Sequence, residues 1–526
     1  MIENGNLIPD KAKLACQICI VGGGVAGIVL ANELKDHFED IILVESGDIN
    51  YQQESQDLYQ AERFPPPLPD PHYARLRFLG GSSNHWQNNT SPLDPIDFEH
   101  REWIPNSGWP ISYADLSVHY IKAQLYCGVE TDGYQTNYWR KKLNKIDLVA
   151  NSKILETRIT KASNPPVRFF AQHGQAIVDA KNIRILTNSN LVDIDYDKQT
   201  KKARSIAILN NKGNSFTLHA DTFVIGLGGL ENARMLLAFN EKYENKLGNQ
   251  GDKVGRYFME HPTPRAAHLF TDKPESFDLY QASLYEQKYV LGFLTLSNES
   301  LRQHKTTNLR MPMVPASEYT ISDGISSSHV LGAALSDLTL PEDTGSHLYN
   351  IVSDMDMVLE AIARKKFDSH LFDGANEVGG FEIPMMMEQT PSEDNRIKLG
   401  TKRDALGLPK IIIDYKVSDS DKNRLWTSLE IAAQEIGAQS LGRLKLLKNR
   451  SSRIWNDQLG FSNHHMGTTR MSTTPETGVV DSNQLVFGTE NLYISGSSVF
   501  STGGNVPPTL TIVAMTIRLA EHLKNG

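Results

Sequence analysis

A glycine-rich turn near the N-terminus constrains this chain most: Gly22-x-Gly24-x-x-Gly27, set between two short apolar segments. QICIV before the turn and IILVE after it have the composition of strands buried on both faces of a parallel sheet. Apolar residues recur at helical spacing between them. The pattern predicts strand, tight turn, helix and second strand, the start of a Rossmann-like α/β domain.

The three glycines have separate physical roles. Gly22 permits the tight turn, Gly24 allows the backbone to approach a pyrophosphate, and Gly27 allows helix and strand to pack closely. Glu45 ends the second strand, where a carboxylate can accept hydrogen bonds from ribose hydroxyls. The motif predicts dinucleotide binding, and the charge of Glu45 disfavours the 2′-phosphate of NADP. A glycine turn without a ligand is the structural alternative.

Length and charge limit the classes of function. The chain has 526 residues, which predicts two or three domains or one large domain with an insertion. Its 53 basic and 62 acidic residues give a net charge of -9, so we expect no basic face for nucleic acid. The N-terminus lacks the basic and apolar regions of a signal peptide. No stretch reaches the roughly 18–20 apolar residues of a membrane span.

Cysteine usage points to a reducing compartment. The three cysteines, Cys16, Cys19 and Cys127, show no pairing pattern. Cys16 and Cys19 form a CxxC inside the first predicted strand, where core packing is the preferred interpretation over a redox or metal role. We therefore expect a cytoplasmic protein.

The order of the predicted elements suggests a divided chain. We expect a dinucleotide-binding domain over 1–262, in which about 50–165 supplies loop and lid segments. Residues 263–455 would form mainly a substrate domain, built on an antiparallel sheet. Residues 456–526 would return to the first domain and complete the active site. The expected fold class is therefore α/β and α+β.

Several further motifs support this division. A second strand, glycine turn and helix occupies 224–237 (VIGLGGLENARMLL), and a strand at NLYIS precedes a helix beginning near Pro508. The N-terminus of that last helix would favour an anionic group in front of it.

Together these motifs resemble those of the glucose–methanol–choline (GMC) oxidoreductases. The resemblance is carried by the nucleotide turn, LGGSS, VGRYFMEHP (254–262), HHMGTTRM and the PTLT helix, and spans the chain except for a divergent middle. Within the family, GGSSNHW resembles the corresponding segment in the branch that contains pyranose 2-oxidase and bacterial sugar or glycoside dehydrogenases. The resemblance implies FAD as cofactor. It also implies cofactor contacts at further positions: Gly80, Ser82, His85, Val192, Gly496 and Thr509.

The resemblance implies a catalytic histidine at His464, the first residue of H-x-x-G. His464 would accept the hydroxyl proton of an alcohol while hydride passes to flavin N5, and His465 is a weaker candidate. Histidine suits this step because its pKa lies near neutral pH. Without the resemblance, the pair could equally bind metal or pack in a core; with it, we expect no metal site. His261 in MEHP is expected to be structural.

This chain departs from the family at one position. The family places His or Asn before the last helix, often as N-P-T-L-T, whereas the aligned residue here is Pro507, which has no polar side chain. Either Asn505 substitutes through a loop shift, or the site works without this partner. His85 matches the histidine that pyranose 2-oxidase bonds to its flavin, so His85 is either covalently linked or an unmodified lining residue. Glu388 and Gln389 either face substrate or form a buried polar pair.

The leading hypothesis is FAD-dependent oxidation of a small-molecule alcohol, with sugars or glycosides as first candidates. An oxidative tailoring enzyme acting on a non-sugar and a flavin-binding protein without turnover are the alternatives. The absence of a second complete GxGxxG from the sequence counts against an NAD(P)H-dependent monooxygenase. The electron acceptor (oxygen, quinone or protein) and the oligomeric state stay open, with 130–165 as a candidate interface.

Overall fold

The fold is taken from a computed structural model that describes residues 1–336, 339–341, 343–367, 371, 378–448, 451–456 and 459–525. Strands and helices both occur throughout the described chain. The strands are β1 (Ile2–Asn4), β2 (Lys13–Val21), β3 (Ile41–Val44), β4 (Leu155–Ser163), β5 (Ile183–Thr187), β6 (Ser189–Asp197), β7 (Lys202–Asn210), β8 (Ser215–Ile225), β9 (Pro262–Thr263), β10 (Arg265–Phe270), β11 (Ser283–Tyr285), β12 (Lys288–Leu296), β13 (Leu309–Arg310), β14 (Val314–Ser317), β15 (Val378–Pro384), β16 (Met386–Met387), β17 (Arg396–Arg403), β18 (Pro409–Asp414), β19 (Arg443–Leu446), β20 (Gly460–Phe461) and β21 (Leu492–Ile494).

The helices differ widely in length, from single turns to the twenty residues of α13. They are α1 (Val25–Leu34), α2 (Gln53–Asp57), α3 (Pro95–Phe98), α4 (Tyr113–Tyr126), α5 (Thr136–Lys142), α6 (Phe169–Asp179), α7 (Gly228–Tyr243), α8 (Asn298–His304), α9 (Glu318–Ile321), α10 (Asp323–Ser336), α11 (Thr344–Ser353), α12 (Met355–Phe367), α13 (Asp419–Ala438), α14 (Ser451–Asn456) and α15 (Thr509–Asn525).

The largest sheet carries the glycine-rich turn at its centre. Its strand order is β1-β5-β3-β2-β8-β7-β6, and β21 also pairs with β8. The four pairs β1-β5, β5-β3, β3-β2 and β2-β8 are parallel, and so is the pair of β21 with β8. Strand β7 is antiparallel to both of its neighbours, β8 and β6. The turn follows β2, at the carboxyl edge where ligands of open α/β sheets bind.

The central strands are apolar because both faces of the sheet are covered. Every residue of β3 is buried, and so are the last four of β2. Helix α15 packs against α1 and α4 and covers one face. The predicted strand–turn–helix–strand unit is confirmed, since β2, α1 and β3 follow one another in this order.

A separate antiparallel sheet lies within 263–455. Its four strands have the order β14-β15-β10-β19, and α13 and α14 contact its edge region. Buried apolar side chains from β10, β15 and α13 share one hydrophobic core that is distinct from the core of the large sheet. The expected fold class, a Rossmann-like domain with a second domain on an antiparallel sheet, is confirmed.

One pairing crosses the expected division of the chain. Strand β4, from the segment expected to supply loops and lids, pairs along its whole length with β12. Thr90 extends this contact by exchanging backbone hydrogen bonds with Lys161. The antiparallel part of the fold therefore uses residues from both sides of position 262.

None of the helices in the described part of the chain combines the length and the hydropathy that a membrane crossing requires.

Candidate active site

One cavity of about 650 Å³ extends from the glycine-rich turn to His464 and His465. Its volume lies within the range of about 300–1,000 Å³ that is usual for ligand sites. Three helices begin at its wall: α1 after Gly24, α7 at Gly228 and α15 at Thr509. Helix N-termini present unpaired N–H groups and partial positive charge, so the cavity favours anionic groups.

The glycine-rich turn forms one end of the cavity. Gly22 has a φ of 112°, a conformation that side chains disfavour. A Cβ on Gly27 would lie 1.9 Å from the carbonyl oxygen of Gly22, whereas a Cβ on Gly24 would meet no atom within 4 Å. Gly27 is therefore required for packing of the helix on the turn. Gly24 instead keeps space open in front of the helix N-terminus.

Glu45 lies at the same end and is almost fully buried. One carboxylate oxygen accepts from the backbone N–H of Gly23 and the other from that of Gly47, each at 2.8 Å. Each carboxylate oxygen can accept more than one hydrogen bond, so Glu45 can also receive hydroxyl groups from the cavity.

The wall beside this turn comes from the LGGSS segment. The backbone N–H of Gly80 donates to the carbonyl of Gly23 at 2.8 Å, which ties the two glycine-rich segments together. Ser82 and His85 line the cavity, whereas Gly80 supports it from behind. His85 is exposed to the cavity, and partial desolvation, followed by the charge of Arg168, lowers its pKa.

A buried charge network, which the sequence motifs did not indicate, surrounds the next part of the wall. Arg75 donates to Glu231 at 2.9 Å, and Arg234 donates to the same carboxylate at 3.0 Å. Burial opposes ionisation of Glu231, but the two guanidinium groups hold its pKa at about 2. Arg77 lines the cavity as well, and its buried Nε has no partner among the described residues.

Two histidines from distant parts of the chain meet at the other end of the cavity. His464 lines the cavity, and its Nδ1 lies 2.9 Å from Nδ1 of His261, which is fully buried. His261 Nε2 lies 3.0 Å from the carbonyl oxygen of Gly504 and 3.3 Å from that of Gly503. His261, expected to be structural, thus contacts the predicted catalytic histidine directly.

This contact assigns the protons on both rings. A carbonyl can only accept, so Nε2 of His261 carries hydrogen and its Nδ1 is an acceptor. Burial lowers the pKa of His261 to about 4, which keeps the ring neutral. His464 Nδ1 must therefore donate, and its Nε2 is left without a proton. Burial, and then the nearby His261, hold the pKa of His464 well below its ordinary value.

Glu260 holds the backbone of both histidines in place. One carboxyl oxygen of Glu260 accepts from the backbone N–H of His464 at 2.6 Å and from that of His261 at 2.8 Å. Burial raises the pKa of Glu260 to about 8, so the carboxyl group is protonated at neutral pH. His465 also lines the cavity, and burial lowers its pKa to about 3.

The start of α15 closes the cavity near the histidines. Gly496, Pro507 and Thr509 all line it, so Pro507 occupies the wall position at which the family has a polar side chain. Val192 lies in β6 outside the lining, although its neighbour Leu191 contributes to the wall.

Asn505 lies behind this wall. It is fully buried, and its amide nitrogen donates to Asn308 Oδ1 at 2.8 Å, away from the cavity lining. Glu388 forms a buried ion pair with Arg101. Gln389 accepts from the backbone N–H of Glu260 at 3.1 Å. Glu388 and Gln389 therefore match the buried-polar interpretation, and neither lines the cavity.

The residues present fit the cofactor that the sequence implies. Gly24 leaves space for a pyrophosphate before a helix N-terminus, and Glu45 provides acceptors for ribose hydroxyls. The unpartnered Arg77 Nε offers a further donor to an anion. These features are compatible with FAD extending from the turn toward His464.

Comparisons with known proteins agree with this geometry. A family model described as GMC oxidoreductase matches residues 391–516. A long-chain-alcohol oxidase of Arabidopsis thaliana is 30% identical over 575 residues, covering 97% of this chain and 68% of the plant protein. The fructose dehydrogenase large subunit of Gluconobacter japonicus is 20% identical over 593 residues, covering 98% and 99%.

A solved structure supports the fold. Pyridoxine 4-oxidase from Mesorbium loti superposes with a TM-score of 0.57 at 16% identity, covering 97% of this chain and 99% of that enzyme. The long alcohol-oxidase match includes both ends of the cavity. This chain belongs to the GMC oxidoreductases, FAD-binding enzymes that act on CH–OH groups.

Proposed function

We propose that this enzyme oxidises an alcohol to a carbonyl compound with His464 as the general base. The observation that carries the proposal is the contact between His464 Nδ1 and His261 Nδ1 at 2.9 Å, beside a cavity of about 650 Å³. This contact supports a neutral His464 whose Nε2 lone pair is available to a ligand.

In the proposed reaction, the substrate hydroxyl donates its proton to Nε2 of His464 while the carbon that bears it loses hydride. FAD, when bound, supplies the two-electron acceptor for that hydride. The imidazolium formed on His464 keeps its Nδ1–H bond to His261, so the ring does not have to turn during the transfer. A general base in this position contributes about 10²- to 10⁴-fold to rate.

His465 and Asn505 are proposed to support the site rather than receive the proton. The ring of His465 packs near Phe258, with 5.7 Å between centroids, and its pKa is too low for an efficient base at neutral pH. Asn505 is hydrogen-bonded to Asn308 and holds the loop before α15. With Pro507 at the cavity wall, His464 is proposed to work without a polar partner from that loop.

Besides His85, the nucleotide end is proposed to hold FAD through six cavity-lining residues and three supporting ones. Gly27 and Gly80 fix the turns, and Val192 belongs to the strand beside the wall. The lining set is Gly22, Gly24, Glu45, Ser82, Gly496 and Thr509.

The domain division is retained as a proposal, with FAD bound mainly by 1–262 and 456–526 and substrate mainly by 263–455. Cys16, Cys19 and Cys127 are all free thiols, which supports a cytoplasmic location. Sugars and glycosides are the first substrates to examine.

The test is anaerobic reduction of FAD-loaded protein, which is monitored as loss of flavin absorbance. Simple alcohols, sugars and glycosides are mixed separately with the enzyme, and bleaching by any of them supports the proposal. Bleaching by NADH or NADPH alone would contradict it. If none of the alcohols bleaches the flavin, the result would favour a flavin-binding protein without turnover.

We also propose that His85 is the site of a covalent bond to the flavin. His85 is exposed to the cavity, and its lowered pKa favours the neutral, nucleophilic ring. Intact mass of denatured holoprotein distinguishes the alternatives. A mass increased by one FAD in wild type and restored to that of the polypeptide in His85→Ala supports the bond. A flavin-free mass in wild type excludes it.

A further inference from the structure

A buried arginine without a carboxylate partner lies next to the histidine end of the cavity. Arg310 is 6% exposed, and its Nη1 is buried without a hydrogen-bond partner. Among the residues that the structure describes, no carboxylate lies within ion-pair distance of Arg310. Proteins rarely bury a charge without a partner, because the lost hydration is not compensated.

Strand pairing places this side chain on the cavity side. Arg310 in β13 lies directly opposite Met386 in β16, so the two side chains share one face of the ribbon. Met386 lines the cavity. Leu309 and Met387, the next pair, are buried in the core on the opposite face. Arg310 therefore lies on the same face of the ribbon as Met386, directly behind the cavity lining, which does not include Arg310 itself.

The surroundings orient the guanidinium without neutralising it. Its Cζ lies 4.5 Å from the centroid of Phe293, which covers one face of the planar group and leaves its donor edges for a ligand. Burial lowers the pKa of Arg310 to about 10, and the group remains charged at neutral pH. Its charge also contributes to the low pKa of His261 and of His464, which places it within electrostatic reach of the proposed base.

Three of the four other buried arginines differ from Arg310 in their partners. Arg101 is paired with Glu388, Arg75 with Glu231, and Arg234 with both Glu231 and Asp404. Each of these three arginines has a fixed carboxylate partner. Arg470, which is as buried as Arg310, also lacks a carboxylate but donates to the backbone carbonyl of Asn106 at 3.0 Å, whereas Arg310 Nη1 has no partner among the described residues.

We propose that Arg310 binds a carboxylate carried by the alcohol substrate, so that the enzyme acts on a hydroxy acid. The inference rests on the proposed function, since His464 defines the end of the cavity at which the reacting hydroxyl lies. The planar guanidinium donates two parallel hydrogen bonds to the substrate carboxylate. Binding this anion neutralises the buried charge and fixes the distance between the carboxylate and the hydroxyl.

The experiment uses FAD-loaded enzyme and a series of ω-hydroxy acids of two to six carbons, each matched with its neutral amide. Half-saturating concentration is measured by anaerobic flavin reduction. For at least one chain length, wild type should saturate with the acid at a concentration about 10- to 100-fold lower than with the amide, as expected for a charged hydrogen bond. Arg310→Met should remove this difference, so that acid and amide saturate alike, whereas Arg310→Lys should restore part of it.

Two controls separate ligand binding from a structural role. Arg302→Met changes an exposed arginine paired with Glu99 and should keep the wild-type preference. Thermal unfolding of Arg310→Met without substrate should occur at the wild-type temperature or higher, because an uncompensated charge is replaced by an apolar side chain. A lower unfolding temperature with an unchanged acid preference would assign Arg310 a structural role and overturn the proposal.

Calorimetry with the corresponding unsubstituted carboxylates provides a readout that does not depend on turnover. Binding to wild type and its loss in Arg310→Met support the proposal even if no alcohol reduces the flavin. Equal saturation by acids and amides, with no carboxylate binding, overturns it while leaving alcohol oxidation intact. Tighter saturation by hydroxyalkyl phosphates than by every acid would overturn the assignment to a carboxylate.

Discussion

The two ends of the cavity are built in different ways. At the nucleotide end, the turn at 22–27 and Glu45 are close in sequence, and backbone groups make most of the contacts. At the histidine end, His464 meets His261 across 203 positions of the chain, and side chains make the decisive contact. The first end is a local motif, whereas the second exists only after the whole fold has formed.

This difference indicates what each end can tolerate. Backbone contacts depend on the absence of a side chain, so a single added methyl group can disrupt the nucleotide end. The histidine end depends on ring nitrogens with assigned protons, so it is sensitive to chemical identity more than to volume. Substitutions at the two ends should therefore separate cofactor binding from the chemical step.

The largest effect is expected from His464→Ala. Loss of the base should lower the rate of anaerobic flavin reduction by about 10²- to 10⁴-fold, while FAD content remains that of wild type. His465→Ala is the matched control, with a rate within about tenfold of wild type, because His465 already has a pKa of about 3. A larger decrease of the reduction rate in His465→Ala than in His464→Ala would reverse the assignment of the base.

A smaller effect is expected from His261→Phe. This change removes the acceptor for His464 Nδ1–H and should reduce the rate by about 10- to 100-fold, the equivalent of one charge-assisted hydrogen bond. His261→Gln can both accept from His464 and donate to Gly504, so it should recover part of the rate. Equal rates in the two variants would exclude the proposed tautomer assignment.

The pH dependence provides an independent test of this pair. The base must be unprotonated, and its pKa lies well below the ordinary value, so the wild-type reduction rate should stay level from pH 8 to pH 6. A histidine with an unperturbed pKa of about 6.5 would lose half its activity near that pH. The contribution of His261 to the free energy of unfolding should fall as pH decreases from about 6.5 toward 4, because protons then bind unfolded His261 in preference to folded His261, and the difference between wild type and His261→Phe measures it.

The smallest effects should distinguish two glycines of one motif. Gly27→Ala brings a Cβ to within 1.9 Å of the Gly22 carbonyl and should lower the free energy of unfolding of apoprotein by about 1–3 kcal/mol. Gly24→Ala meets no protein atom and should leave that stability unchanged, while weakening FAD binding by about tenfold. Denaturant titration and flavin titration measure the two quantities. Similar losses of stability in both variants would contradict this separation.

The same contrast explains what the sequence could predict. The unit of β2, α1 and β3 and the helix α15 were predicted because hydrophobic period and glycine spacing are local signals. His464 was proposed from a motif, but its contact with His261 has no local signal, since it depends on how β9 and β20 pair. Arg310 gave no signal at all, because an unpaired charge is defined by what surrounds it in the fold.

The pairing of β21 with β8 has a consequence for the making of the protein. Strand β8 ends at Ile225, but β21 and the wall residues from Gly496 to Ile512 follow β20 in the chain. A nascent chain that ends at β20 therefore lacks this part of the cavity wall. Flavin capture is expected only after residues 492–512 have been made, and chains truncated before residue 496 should leave the ribosome colourless.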